Sequence, residues 1–135
     1  MIDSRTAPYG ALVLRTALGV MFIVHSVYLK LVVFTLPGTV KFFESLGLPS
    51  VAAHATIAAE ALGGLMLVLG VKTRWAAAAL LPVLLGATWV HWKNGWLFTN
   101  AGGGWEYPLF LAAAAVVQAL LGDGALAAGG RPRAA

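Results

Sequence analysis

The stretch EALGGLMLVLGVKTRWAAAALLPVLLGATW, residues 60–89, decides the fold. It holds parts of two apolar runs, approximately 51-71 and 75-95, which are separated by the short polar turn GVKTR. A membrane-crossing helix takes about 20 apolar residues, so each run is long enough to cross a bilayer. Two further apolar runs lie at approximately 10-36 and 106-126. We therefore predict an all-α integral membrane four-helix bundle, formed by residues 1-135 as a single transmembrane domain.

The composition of the chain agrees with this fold class. Of its 135 residues, 60% are hydrophobic and only 10% are charged, whereas soluble domains carry about 25% charged residues. The basic residues are scattered, so the net charge of +4 does not predict nucleic acid as a partner. The chain has no cysteine, which excludes disulfides and thiolate-held metals within it.

The connector PGTVKFFESLGLPS, residues 37–50, alternates apolar and charged side chains. We predict that it forms a short interfacial helix between helices 1 and 2. The basic residues then predict the orientation, because six of them fall on one side of a four-span chain and three on the other. The six are Arg5, Arg15, Lys72, Arg74, Arg131 and Arg133, and the three are Lys30, Lys41 and Lys93. The positive-inside rule thus favours a multi-pass protein of the bacterial inner membrane with both termini cytoplasmic.

The second apolar run has two different faces when it is read as a helix. Gly63 and Gly64 share one side with Glu60, whereas the leucines at 62, 65 and 69 lie on the other side. Small residues let helix backbones approach closely, so we expect Glu60 to point into the bundle and the leucines to face lipid. Arg15 and Arg74 lie near helix ends, and we expect their long side chains to snorkel to the interface; the alternative is that they pair inside the bundle.

Ionisable side chains at membrane depth are functional hypotheses by default. Counted back at about 1.5 Å per residue from the outer helix ends, His25 and Glu60 lie at similar depths. Lys30, His91 and Glu106 lie higher in the same half of the membrane. We predict that these side chains form a polar pocket, covered by Trp105 and Tyr107. The alternative is a structural network, in which Glu60 pairs with a lysine or arginine and holds the helices in register.

Such a pocket meets the needs of a quinone. Quinone carbonyls need hydrogen-bond donors, the ring needs flat apolar neighbours, and reduction needs groups that transfer protons. We predict a membrane subunit of a quinone-linked oxidoreductase, with Glu60, His25 and His91 as catalytic, proton-handling residues. The predicted cofactor-binding residues are Lys30, Arg15, Trp105, Glu106 and Tyr107. No metal site is predicted, because the histidines and carboxylates form no compact motif, and the different depths of His25 and His91 disfavour haem.

Electrons would reach this site from a redox partner protein or from a cofactor that the chain binds. The other expected partner is the lipid bilayer, and assembly as a homo-oligomer stays open. A second reading is non-catalytic: a scaffold that anchors a soluble or periplasmic partner through the rim from Trp92 to Tyr107. A transporter is disfavoured because the chain shows no inverted repeat.

Four stretches carry a resemblance to a known family: HSVYLKL (25–31), FESLGLP (43–49), EALGGLMLVLGVKTR (60–74) and GGWEY (103–107). Together they resemble the DoxX family of small bacterial membrane proteins, over about residues 12–126. The family's name comes from similarity to the small membrane subunit of an archaeal thiosulfate:quinone oxidoreductase. The resemblance implies a four-helix membrane bundle, with links to membrane oxidoreductase complexes and oxidative-stress responses. The polar residues that it implies are Arg15, His25, Lys30, Glu60, Arg74, Glu106 and Tyr107.

The chain departs from the family's pattern in its first helix. The family has His-Gly-x-x-Lys-Leu, whereas here Ser26 replaces the glycine and Lys30 follows His25 by five residues. Five residues turn an α-helix by about 140° beyond a full turn. We therefore expect His25 and Lys30 to face different directions.

Overall fold

The computed structural model describes residues 3–129, and every regular element in this range is a helix. Three helices are long and apolar enough to cross a membrane, namely Ala7–Val33, Ser50–Leu69 and Thr73–Asn94. The elements are α1 (Ala7–Ile23), continued by a π-helical segment (Val24–Val33), α2 (Leu36–Ser45), α3 (Ser50–Leu69), α4 (Thr73–His91), continued by a 3-10 turn (Trp92–Asn94), and α5 (Glu106–Leu121). The all-α prediction is confirmed, and α5 is shorter than the predicted 106-126.

Each long helix packs against two others. The first helix contacts α3 and α5, and α4 likewise contacts α3 and α5. The first helix and α3 approach each other closely at Gly19 and Gly64, because a Cβ atom added to Gly64 would lie 2.8 Å from the carbonyl oxygen of Gly19. Glycine is therefore required where α1 crosses α3. The apolar core around this crossing consists of Leu18, Phe22, Leu67, Ala76, Ala77, Leu80, Leu84, Ala112 and Ala115.

The two faces of α3 lie as the sequence predicts. Glu60, Gly63 and Gly64 are buried between helices. The leucines at 62, 65 and 69 are exposed on the outside of the molecule. The prediction that Glu60 points inward is confirmed.

The π-helical segment changes the relation between His25 and Lys30. In a π-helix each backbone N–H donates to the carbonyl five residues earlier, and the Phe34 N–H donates to the Leu29 oxygen at 2.8 Å. Residues five apart therefore lie almost above one another. The expectation that His25 and Lys30 face different directions is wrong, because it assumed α-helical geometry throughout.

Arg15 lies on α1 on the side away from the π-helical segment. It is buried and does not snorkel to the interface. Its side chain is only 1% exposed. One guanidinium nitrogen donates to the carbonyls of Leu67 and Val68, and the other to those of Ala125 and Leu126. Carbonyls in the last turn of α3 have no partner within the helix, and the negative end of the helix dipole favours a cation there. The snorkelling prediction is wrong for Arg15.

The segment that follows α5 closes this same end. The Asp123 carboxylate accepts hydrogen bonds from the backbone N–H and the hydroxyl of Thr73, at 2.9 and 2.7 Å, and so caps the start of α4. The Ala125 N–H donates to the Pro8 carbonyl at 2.9 Å. We call this side the Arg15 end and the other side the α2 end. Of the basic residues used to predict orientation, Arg131 and Arg133 lie outside the described residues.

Candidate functional site

A buried ion pair joins the π-helical segment to α3. Lys30 Nζ donates to both carboxylate oxygens of Glu60, at 2.9 Å to Oε1 and 2.6 Å to Oε2. The two side chains are only 18% and 6% exposed, respectively. It is the sole salt bridge within residues 3–129. Each charge neutralises the other, which is the condition under which both can be buried.

The backbone of Lys30 is held by the short helix α2. Thr39 is 4% exposed, and its Oγ1 donates to the Lys30 carbonyl at 2.8 Å. The helix α2 also packs against α3 and against the π-helical segment. Sequence reasoning missed Thr39, because the contact depends on the chain reversal at Thr35, whose φ of 63° no spacing rule predicts.

His25 lies on the same π-helical segment as Lys30, five residues before it. Its Nδ1 lies 2.8 Å from the Met21 carbonyl oxygen. A carbonyl can only accept, so Nδ1 carries the hydrogen and Nε2 is left to accept or take up a proton. Within residues 3–129, Nε2 has no hydrogen-bond partner, so it can accept a hydrogen bond from a ligand.

Tyr107 reaches α1 from the start of α5. Its ring stacks on that of His25, with 6.1 Å between the ring centroids and 25° between the planes. Its hydroxyl donates to the sulfur of Met21 at 3.5 Å. The structure thus brings together four of the predicted site residues at the α2 end, namely His25, Lys30, Glu60 and Tyr107.

His91 is held by the connector between α4 and α5. Its Nδ1 lies 3.4 Å from the side-chain nitrogen of Asn94. A Cβ atom added to Gly103 would lie 3.6 Å from the same Nδ1. The structure therefore places His91 against this connector, and its predicted catalytic role stays a prediction.

Trp105 and Glu106 hold the same connector together. The Trp105 ring stacks on Trp92 at a centroid distance of 4.7 Å and meets Trp96 edge-on at 4.5 Å. The Glu106 carboxylate accepts from the Phe98 N–H at 2.8 Å. Their neighbour Tyr107 is the member of this triplet that touches α1. The predicted roles of Trp105 and Glu106 in binding a cofactor stay predictions.

Arg15 lies apart from the four gathered residues. It binds the Leu67 carbonyl, seven residues beyond Glu60, which is about 10 Å along the helix. Its two terminal nitrogens each donate to two backbone carbonyls, and within residues 3–129 its buried Nε has no hydrogen-bond partner. Its predicted role in binding a cofactor stays a prediction.

Two surface grooves lie away from the ion pair. One, of about 300 Å³, runs between α3 and α4 and is lined by Gly63, Met66 and Trp75 among others. The other, of about 700 Å³, follows the start of α1. Within residues 3–129, no three His, Asp or Glu side chains are grouped so that they could hold a metal ion.

Comparisons with known proteins find similarity in the part of the chain that contains Lys30 and Glu60. The family model DoxX matches residues 10–92, a range that includes His25, Lys30 and Glu60. A protein of Bacillus subtilis (strain 168) named "Putative oxidoreductase CatD" is 38% identical over 79 residues. The aligned part is 58% of this chain and 56% of that relative, so the chain spans little more than half of the relative's length. No solved structure matches the chain.

Proposed function

This chain belongs to the DoxX family, and we propose that it is the membrane subunit of a quinone-linked oxidoreductase system. The observation that carries the proposal is the Lys30–Glu60 pair, with His25 on the same π-helical segment as Lys30. Ionisable groups at membrane depth are costly and mark sites of proton or ligand chemistry. The name of the Bacillus subtilis relative supports redox chemistry.

The gathered side chains fit the proton chemistry of a quinone. Reduction of a quinone to a quinol takes up two electrons and two protons. In the proposed site the Lys30 ammonium donates a hydrogen bond to one quinone carbonyl, and Glu60 keeps that ammonium charged inside the membrane. His25 is assigned the proton transfer, because an imidazole nitrogen can both accept and donate a proton. The electrons come from a redox partner protein.

The proposed architecture is a four-helix bundle in the bacterial inner membrane. In it α5 makes the fourth crossing, α2 lies in the outer interface, and both termini are cytoplasmic. The exposed basic side chains of Lys72 and Arg74 at the Arg15 end support this orientation. The chain has no cysteine, so single cysteines can be labelled selectively. Ser45→Cys should react with an impermeant maleimide added outside intact cells, whereas Ser4→Cys should react only after lysis.

Mass spectrometry and an absorption spectrum of the protein purified in mild detergent test the proposed ligand. A quinone that co-purifies with the wild-type protein supports the proposal. The matched sample is the Lys30→Met, Glu60→Gln double variant, which replaces the ion pair by uncharged side chains. The proposal fails if the wild-type protein carries no quinone and takes up none, or if the double variant retains as much quinone as the wild type.

A second candidate function is that of a scaffold for a soluble or periplasmic partner. The observation that favours it is the ordered connector after α4, which exposes 58% of Trp92, 52% of Trp96 and 67% of Phe98. Trp92→Ala with Phe98→Ala should then break a complex seen on a native gel while quinone is retained. Trp75→Ala is the control, because Trp75 is even more exposed, at 75%, but lies at the Arg15 end.

A further inference from the structure

We propose that Thr39 is a positioning residue that keeps Lys30 in its pair with Glu60. Its hydroxyl, buried on α2, donates to the Lys30 carbonyl at 2.8 Å. The significance of this contact rests on the proposed function, which gives the Lys30–Glu60 pair its chemical role. Thr39 touches the backbone of Lys30, so it acts through Lys30.

The Thr39–Lys30 hydrogen bond takes the place of a main-chain hydrogen bond that the π-helical segment lacks at the Lys30 carbonyl. The Phe34 N–H makes the last main-chain bond of the π-helical segment, to Leu29. The next carbonyl, that of Lys30, lies in the last turn, where carbonyls lack partners within a helix. Thr39 satisfies it from the following helix. An unpaired buried carbonyl would cost free energy, so this bond stabilises the turn that carries Lys30.

The position of Thr39 is itself fixed by the chain reversal between the two helices. Thr35 adopts a φ of 63°, and its Oγ1 accepts from the Gly38 N–H at 3.3 Å. The Thr35 carbonyl accepts from the Thr39 N–H at 2.9 Å. The hydroxyl of Thr39 is thus aimed at Lys30 by the first turn of α2, and α2 in turn packs on α3, which carries Glu60.

Without this anchor the Lys30 side chain has an alternative position. A lysine near a helix end can extend its stem along apolar surface and place the ammonium in the interface. Lys30 is three residues from the end of the π-helical segment, and its side chain is already 18% exposed. Fraying of the last turn would therefore let the ammonium leave Glu60. The bond from Thr39 opposes that movement.

Hydrogen exchange at the lysine side chains tests this role without any quinone. The chain has four lysines, and the three others, at 41, 72 and 93, are exposed. In protein labelled with ¹⁵N-lysine, the slowly exchanging Nζ resonance belongs to Lys30, and Glu60→Gln should abolish it. The variants are Thr39→Val, which removes the hydroxyl and keeps the shape, and Thr39→Ser, which keeps the hydroxyl. The control is Thr88→Val, because Thr88 also has a buried hydroxyl, bonded to the Leu84 carbonyl at 2.8 Å.

Thr39→Val should raise the exchange rate of the Lys30 Nζ protons about tenfold, as expected for the loss of one buried hydrogen bond. Thr39→Ser should restore slow exchange, and Thr88→Val should stay within about twofold of the wild type. The proposal is overturned if Thr39→Val changes the rate no more than Thr88→Val does. Circular dichroism checks folding, and Thr39→Ala, which introduces no bulk, replaces Thr39→Val if that variant does not fold. A protein with slow Lys30 exchange that binds no quinone would refute the proposed function and leave the role of Thr39 standing.

Discussion

Lys30 Nζ lies 2.6 Å from Glu60 Oε2, and this contact is the sole salt bridge within residues 3–129. The pair holds the π-helical segment against α3 at the α2 end, where Glu60 precedes Gly64 of the Gly19–Gly64 crossing by one helical turn. A structural role and a chemical role are both compatible with this position. Single and double substitutions separate the two roles.

Glu60→Gln should destabilise the protein by about 3 kcal/mol, because it leaves Lys30 buried without its partner charge. Adding Lys30→Met should recover most of this loss, since uncharged side chains can replace a buried pair at little cost. The measurement is the thermal unfolding midpoint in detergent, with Glu44→Gln on the exposed face of α2 as control. Equal instability of the single and double variants would show that the cost does not come from an unpaired charge.

Gly64→Ala should destabilise the protein by about 1 to 3 kcal/mol, because the added Cβ would lie 2.8 Å from the Gly19 carbonyl oxygen. Gly86→Ala is the matched control, since nothing lies within 4 Å of its Cβ position in the middle of α4. Alanine is the better helix former, so the control should stabilise the protein by up to about 1 kcal/mol. Similar unfolding midpoints for the two variants would contradict the close approach of α1 and α3.

Arg15→Lys should destabilise the Arg15 end, because an ammonium cannot reach the four carbonyls that the planar guanidinium joins. The expected loss is about 2 kcal/mol, the range for hydrogen bonds to charged groups. Hydrogen–deuterium exchange should rise around Ala125 and Leu126 while the α2 end is unchanged. Exchange that rises instead at Lys30 and Glu60 would be inconsistent with the separation of the two ends.

Deletion of Val27 tests the π-helical segment. The deletion changes the spacing of His25 and Lys30 from i, i+5 to i, i+4, at which side chains share a face of an α-helix. The shortened segment should become α-helical and keep the slowly exchanging Nζ resonance of Lys30. Insertion of an alanine after Val27 should abolish that resonance. If the deletion abolishes it as well, the π geometry is not what places Lys30.

Side-chain periodicity was sufficient to predict much of the fold and the inward face of α3. Glu60 shares a side with Gly63 and Gly64, and that relation needs only the α-helical repeat. The geometry around His25 and Lys30 was not predictable in the same way, since the sequence carries no simple signal for a π-helix. The expectation that His25 and Lys30 face different directions was wrong for that reason.

Contacts between segments that are distant in the sequence could not be predicted either. Arg15 binds carbonyls at the end of α3 and beyond α5, so its burial depends on how three segments meet. Thr39 and Asp123 act through bonds to residues in other elements. His91 was grouped with Glu60 by depth alone, and depth does not determine which side of a helix a residue occupies.

The central claim is that the Lys30–Glu60 pair belongs to a quinone site, and a binding titration with decyl-benzoquinone in lipid nanodiscs tests it most directly. Lys30→Met should weaken binding at least about tenfold, as expected for loss of a charged hydrogen-bond donor. Lys93→Met, at an exposed lysine in the connector, should bind within about twofold of the wild type. Equal affinity of Lys30→Met and the wild-type protein would contradict the claim.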